Sequence, residues 1–256
     1  MSKRRKFVLT SILLSLGFIG IQLLDERFKF PAIGLLGLLT TGLFWFSLRE
    51  GIGKNATLLT LILPTMFTLG VGIFWFLLPS SVFTRIPIIL FFGIGIYILA
   101  LTMNIFTVSA VRTIALLRAA RGVGFVLTLV TSFLVFDAIL SLRTLLPITA
   151  LSIAALAFPL MVQGIWQVDL KNEFSKEIVT YSLISSLIVG EIAASLFFWP
   201  VTVVVGSLFL TMAIYMLVGL GQALWEGRLF SQTLREYLFM AGLVFIGMFI
   251  ATKWGL

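Results

Sequence analysis

The chain of 256 residues contains no cysteine and no histidine. Their absence excludes disulfide bonds, thiolate nucleophiles, imidazole bases, and the haem or zinc sites that are built on these ligands. Charged residues are also scarce, because they make up 11% of the chain against about 25% in soluble proteins. A soluble fold of this length needs a charged surface, so the composition excludes the soluble globular class.

Apolar residues make up 60% of the chain, and the mean hydropathy is +1.17. Uncharged runs of roughly 18 or more residues recur along it, which is the length that a helix needs to cross a bilayer core of about 30 Å. We therefore predict an all-α, polytopic transmembrane helix bundle that forms one domain over residues 1–256. The nine predicted helices are Phe7–Leu24, Pro31–Leu48, Thr57–Leu78, Ile86–Phe106, Gly122–Leu140, Leu145–Trp166, Glu177–Phe198, Pro200–Leu224 and Leu234–Thr252.

The lysine and arginine residues predict the orientation of the bundle. If the N-terminus is cytoplasmic and the helices alternate, thirteen of the 18 basic residues fall on the cytoplasmic side. The C-terminus is then expected outside. The first helix follows Lys3 to Lys6 without a small-residue cleavage site, so we expect it to remain uncleaved. The net charge of +8 is spread singly over short loops, which favours contact with anionic lipid head groups over nucleic acid.

The segment 107–121 permits two interpretations. It forms either a helix on the cytoplasmic membrane surface, with Arg112, Arg118 and Arg121 binding lipid phosphates, or an extension of the fourth helix into the cytoplasm. Arg112 and Arg121 fall on nearly opposite sides of a helical wheel, which favours the extension. Gly122 and Gly124 would then mark the turn into the fifth helix.

Glu191 is the most costly residue of the predicted bundle. It lies about seven residues, or roughly 10 Å, below the outer end of the seventh helix, where a charge costs about 2.5–3.5 kcal/mol. Glu191 and Asp137 together would line an outward-facing cavity for a proton, a cation or a cationic head group. Alternatively, a protonated Glu191 bonds Ser195, and Asp137 meets Arg143 at the interface.

Small and polar residues predict how the helices pack. Ser182, Ser186, Gly190 and Ala194 recur every four residues and predict close packing of the seventh helix, most economically against the eighth. Pro64 and Pro159 should kink the third and sixth helices. Asn104, Gln163 and Gln222 near the cytoplasmic ends predict interhelical hydrogen bonds or a polar vestibule.

Motifs for catalysis, metals and cofactors are missing. The Gly-x-Gly pairs lack the strand–turn–helix context of a nucleotide fingerprint, and there is no paired-acid cluster for a metal–pyrophosphate site. We therefore assign no catalytic residue, metal or cofactor. The stretch Glu191, Phe197-Phe198-Trp199-Pro200, Gly206, Tyr215 and Gly219-Leu220 resembles a family of uncharacterised bacterial multi-pass membrane proteins with a domain of unknown function. That resemblance implies a bacterial cytoplasmic membrane and no particular activity.

Three functional hypotheses are compatible with these observations. The first is a permease-like or lipid-handling protein with Glu191 and Asp137 as its carboxylate centre. The second is a non-catalytic scaffold or accessory subunit that packs against other membrane proteins. The third is a membrane enzyme that acts on lipid-linked substrates, which the missing acid cluster disfavours.

Overall fold

The computed structural model describes residues 3–49, 56–78, 82–109, 115–170 and 175–252. Within these ranges the backbone forms nine helices and no strand. They are α1 (Lys3–Gln22), α2 (Glu26–Leu48), α3 (Ala56–Trp75), α4 (Val82–Ser109), α5 (Leu117–Ser141), α6 (Leu146–Asp169), α7 (Lys176–Phe197), α8 (Val203–Trp225) and α9 (Ser231–Ala251). The predicted all-helical fold is confirmed.

Eight of the described helices are long and apolar enough to cross a membrane. The remaining helix, α3, has a shorter apolar stretch at Leu59–Trp75. In hydrocarbon every backbone amide and carbonyl must be satisfied within its own helix, which explains why such sequences form uninterrupted helices. The chain is a multi-pass membrane protein.

The start of α5 differs from the sequence prediction. The helix begins at Leu117, so Gly122 and Gly124 lie inside it and do not form the predicted turn. Glycine weakens a helix by only about 1 kcal/mol, which the need to satisfy the backbone in a membrane outweighs. Arg118 is exposed and Arg121 is half-buried in the first turns of α5. Arg112 lies outside the described residues, as does the connection that would distinguish the two interpretations of segment 107–121.

The link between α7 and α8 is longer than the single residue predicted at Trp199. Helix α7 ends at Phe197 and α8 begins at Val203. The backbone amide of Val205 donates to the Thr202 hydroxyl at 3.4 Å, so Thr202 caps α8. A threonine N-cap supplies an acceptor that a start at Pro200 would lack, which explains the later start.

The two kinks predicted at prolines stay predictions, because both helices continue through them. Pro64 lies within α3, and Pro159 lies within α6. The Thr68 hydroxyl donates to the carbonyl oxygen of Pro64 at 2.9 Å. Threonine hydroxyls of this kind bond a backbone carbonyl of their own helix four residues earlier.

The chain divides into two compact units, Met1–Leu127 with Leu170–Glu173, and Thr128–Asp169 with Phe174–Leu256. In the first unit α1 packs against α2 and α4, and α3 packs against α2 and α4. Hydroxyl pairs join α2 to α3, with Thr40 and Thr68 oxygens 3.1 Å apart and those of Thr41 and Thr65 2.7 Å apart. Small polar side chains therefore allow close helix approach in this unit.

In the second unit α6 packs most extensively against α7, and α8 packs against α6, α7 and α9. Helix α9 packs against α8, and Met248 is the one buried residue of α9. The Tyr181 hydroxyl of α7 donates to the Leu217 carbonyl of α8 at 2.8 Å. This unit holds the cavity described next.

Candidate functional site

A cavity of about 530 Å³ lies at one end of the second unit. It is formed where α5 ends and α6 begins, and where α7 ends and α8 begins. Its lining residues are Leu140, Arg143, Thr144, Thr149, Ala193, Leu196, Phe197, Trp199, Val201, Thr202, Val203 and Gly206. Two short links and four helix ends therefore build the cavity.

The polar part of the cavity centres on Arg143. Its side chain is exposed, and no carboxylate pairs with it in the ranges that the structure describes. Nearby, the hydroxyl oxygens of Thr144 and Thr149 lie 2.9 Å apart. An unpaired guanidinium carries donors that match phosphate and carboxylate oxygens, so this part of the cavity suits an anion.

Arg143 adopts a left-handed backbone conformation, with φ at 48°. Its amide donates to the Leu140 carbonyl at 3.3 Å, so the residue ends α5 and turns the chain toward α6. Glycine usually occupies this position, because a side chain there costs about 1–2 kcal/mol. The turn holds the guanidinium at the cavity at a cost in backbone strain.

The apolar part of the cavity includes Leu140, Leu196 and Phe197 beside the indole of Trp199. The Trp199 Nε1 donates to the Thr252 hydroxyl at 2.8 Å, and Thr252 donates in turn to the Met248 carbonyl at 2.8 Å. The indole is thereby tied to the end of α9. Guanidinium, hydroxyls and apolar side chains together give the cavity an amphipathic lining.

Asp137 lies next to the cavity lining without being part of it. A Cβ at Gly206 would lie 3.3 Å from Leu140 Cδ1, so the Leu140 side chain of α5 packs against α8 at this glycine. One residue after Gly206, the Ser207 hydroxyl oxygen lies within hydrogen-bond distance of Asp137 Oδ1, at 3.1 Å. The aspartate is only 4% exposed and does not meet Arg143, contrary to one interpretation from the sequence.

Glu191 is separated from this arrangement. Its side chain is exposed on α7 and does not line the cavity. The Ser195 hydroxyl donates to the backbone carbonyl of Glu191 at 3.0 Å, and not to its carboxylate as one interpretation had it. The structure thus places Asp137 inside the second unit and Glu191 on an outer face, and it does not bring them together.

The small-residue face of α7 approaches α6 at Gly190, whereas the sequence favoured α8 as its neighbour. Ser182, Ser186 and Gly190 are buried, and Ala194 is half-buried. A Cβ at Gly190 would lie 3.0 Å from the Ala154 Cβ and 3.1 Å from the Ala150 carbonyl oxygen, both on α6. The short link to α8 makes that helix a neighbour, yet this part of the face points toward α6.

Gln163 and Gln222, both predicted to form interhelical hydrogen bonds, differ in their hydrogen bonding. Gln222 Nε2 donates to the Gly164 carbonyl of α6 at 2.8 Å. Gln163 is fully buried, and neither polar atom of its amide has a hydrogen-bond partner among the described residues. Gln222 therefore supplies an interhelical bond, whereas Gln163 does not.

The cavity itself is not predictable from the sequence. From the sequence Arg143 was expected only as a partner of Asp137 at the interface, and no role was predicted for Thr144 or Thr149. Threonines near helix ends carry no signal that separates a cavity wall from an ordinary turn. In the described ranges no group of three or more His, Cys, Asp or Glu residues could hold a metal ion.

A family described as "Protein of unknown function (DUF5656)" matches residues 9–251, and the chain belongs to that family. The match confirms the expected resemblance to a family without an assigned function and extends it over most of the chain. Comparison with curated proteins and with solved structures finds no match.

Proposed function

We propose that this member of the DUF5656 family handles lipid, and that the cavity of its second unit binds an anionic amphiphile. One observation carries the proposal: the guanidinium of Arg143, which no carboxylate of the described ranges pairs with, lines the same cavity as the apolar side chains of Leu140 and Leu196. A phosphate-bearing lipid has both features that this lining matches, a small anionic head group and an apolar chain.

The size and composition of the cavity support this ligand class. Pockets for small molecules usually measure about 300–1,000 Å³ and combine apolar walls with few polar groups. The hydroxyls of Thr144 and Thr149 stand beside Arg143, where they would add donors to a bound phosphate. None of the described lining residues is acidic, which favours binding over carboxylate-dependent hydrolysis.

The charge pattern and the family resemblance support a proposal for the membrane and for its two faces. We propose the bacterial cytoplasmic membrane, with the cavity opening at the outer surface and the C-terminus also outside. Arg118, which is exposed at the opposite end of α5, would then contact anionic head groups of the cytoplasmic leaflet. Arg121 and Arg112 would contribute to the same basic surface.

A second candidate, proton-coupled permeation, is supported by the placement of Asp137. A buried carboxyl that lies one helical turn from the cavity residue Leu140 is suited to accept a proton when cargo occupies the cavity. Lipid handling is our first choice, because the cavity lining combines a guanidinium with apolar side chains, whereas Asp137 does not line the cavity.

Thermal unfolding of the purified full chain in neutral detergent tests the proposal. Short-chain phosphatidylglycerol should raise the unfolding temperature of the protein, because a ligand that binds only the folded state stabilises it. At a phosphatidylglycerol concentration about one hundred times its dissociation constant, the free energy of unfolding should rise by about 2.7 kcal/mol. Short-chain phosphatidylcholine, which has no net charge, tests whether the anionic head group is needed. Inorganic phosphate tests whether the anion alone is sufficient.

Variants connect the effect to the cavity. Arg143→Gln should abolish the stabilisation by phosphatidylglycerol, whereas Arg27→Gln, which alters an exposed arginine of the first unit, should keep it. Arg143→Gly should also abolish it while making the ligand-free protein more stable by about 1 kcal/mol, because glycine relieves the left-handed backbone. Equal stabilisation by phosphatidylcholine, or by phosphate alone, would refute the lipid proposal.

A further inference from the structure

One face of α7 is apolar and exposed, and it carries a single acidic residue. Leu183, Ile184, Leu187 and Ile188 are between 38% and 55% exposed. Glu191 is exposed one turn beyond Leu187 and Ile188, on the same side of the helix. We call these five residues the Glu191 face. Opposite them, the buried face of α7 packs against α6 at Gly190.

The carboxylate of Glu191 sits well inside the span. It precedes the end of α7 at Phe197 by six residues, or about 9 Å along the helix. No side chain in the described ranges bonds or pairs with its carboxylate, since the Ser195 hydroxyl bonds the Glu191 backbone carbonyl. Acidic residues at such depth normally face a bundle interior or a water-filled cavity and have a partner.

We infer that the Glu191 face contacts a transmembrane helix of another membrane protein that carries a lysine or arginine at the depth of Glu191. Charge complementarity selects this partner, because a basic side chain offers the carboxylate an ion pair in hydrocarbon. Leu187 and Ile188 would pack against apolar residues of the partner helix on either side of that pair. The inference is independent of lipid binding, since Glu191 does not line the cavity.

A second copy of this chain is a poorer occupant. A two-fold interface through the Glu191 face would bring Glu191 against its own symmetry mate, because isologous contacts pair a patch with itself. Two carboxylates would then repel each other in a medium of low dielectric constant. The same face with a basic partner replaces that repulsion by attraction.

Synthetic single-span peptides test the inference with a known probe. The full chain, with a donor dye on a cysteine introduced at Leu145, is reconstituted in phosphatidylcholine vesicles with acceptor-labelled leucine–alanine helices. One peptide carries a lysine at the depth of Glu191, a second carries glutamate there, and a third carries leucine. Energy transfer should show the lysine peptide binding roughly tenfold more tightly than the leucine peptide.

Charge-reversal variants distinguish an ion pair from nonspecific apolar association. Glu191→Lys should reverse the preference, so that the glutamate peptide binds best, and Glu191→Gln should bring the lysine peptide to the level of the leucine peptide. Glu177→Gln is the matched control, because Glu177 is an exposed acid about four turns earlier on nearly the same side of α7. It should leave the preference for the lysine peptide unchanged.

Three results would overturn the inference. The first is equal binding of the lysine and leucine peptides to the unaltered chain. The second is a Glu191→Lys variant that does not prefer the glutamate peptide. The third is energy transfer between two labelled copies of the chain that Glu191→Gln abolishes, which would make the occupant a second copy. None of them bears on the phosphatidylglycerol test, so failure here leaves the lipid proposal standing.

Discussion

Ser207 of α8 and Asp137 of α5 are joined by a hydrogen bond of 3.1 Å. The same hydroxyl lies 3.0 Å from the carbonyl oxygen of Val204, one turn earlier. A hydroxyl has a single hydrogen and cannot donate fully to both acceptors. If Ser207 donates to Val204, the contact with Asp137 requires a hydrogen on the carboxyl group. The pair is therefore suited to an aspartate that holds a proton inside the span.

This geometry predicts different outcomes for two substitutions. Ser207→Ala should lower the free energy of unfolding by about 1–3 kcal/mol, because it leaves a buried carboxyl without a partner. Asp137→Asn should change it by less than about 1 kcal/mol, because the amide can donate to Ser207 while Ser207 donates to Val204. Unfolding by dodecyl sulfate in mixed micelles measures both. An Asp137→Asn loss as large as that of Ser207→Ala would show that the charged carboxylate is the native form.

Gly190 should be intolerant of a side chain. Gly190→Ala would put a methyl group against the Ala154 side chain and the Ala150 carbonyl, and overpacking of this kind costs about 1–3 kcal/mol. Gly247 of α9 has no atom within 4 Å of the position of a Cβ, so Gly247→Ala should leave stability unchanged or raise it by up to about 1 kcal/mol. The same unfolding titration compares the two. Equal losses would contradict the packing of α7 on α6.

The two glutamines should respond to methionine with opposite signs. Gln222→Met removes the bond to Gly164 and should lower the free energy of unfolding by about 0.6 kcal/mol. Gln163→Met replaces a buried, unpartnered amide by an apolar chain of similar size and should raise it by up to about 1–3 kcal/mol. A clear loss on Gln163→Met would mean that the amide has a partner, such as water or a ligand, that stabilises the fold.

The proposed orientation is directly testable, because the chain has no native cysteine. Leu145, in the link between α5 and α6, is 70% exposed, and Leu229, between α8 and α9, is 45% exposed. A membrane-impermeant maleimide applied to intact cells should label Leu145→Cys and not Leu229→Cys. The reverse pattern would place the cavity on the cytoplasmic side and invert the whole topology.

The helices were largely predictable from the sequence, and their ends were not. Apolar runs of membrane-spanning length, together with the scarcity of charge, require helices in a bilayer whatever the neighbours are. At Gly122 the local preference of glycine suggested the start of the fifth helix, but α5 already begins at Leu117. At Pro200 the local preference suggested a beginning, yet Thr202 provides the cap. Local signals compete there with capping and with backbone satisfaction, and tertiary context decides.

The candidate site was only partly predictable. Asp137 and Glu191 are conspicuous as acids within apolar runs, which marks each as costly but cannot say what each one faces. A single residue of difference in helix phase turns a side chain by about 100°, enough to move it from a core to a lipid face. Arg143 gave little signal, because its importance comes from a left-handed turn and from the walls around it.

The helical, membrane-spanning character of the chain is already fixed by its composition, because hydrophobicity and run length act residue by residue and need no partner. Helix packing, in contrast, buries Asp137 against Ser207, leaves Glu191 facing outward, and places Arg143 in one cavity with Leu140 and Leu196. These relationships depend on how the helices rotate and approach one another, which small contacts such as that of Gly190 with Ala154 determine.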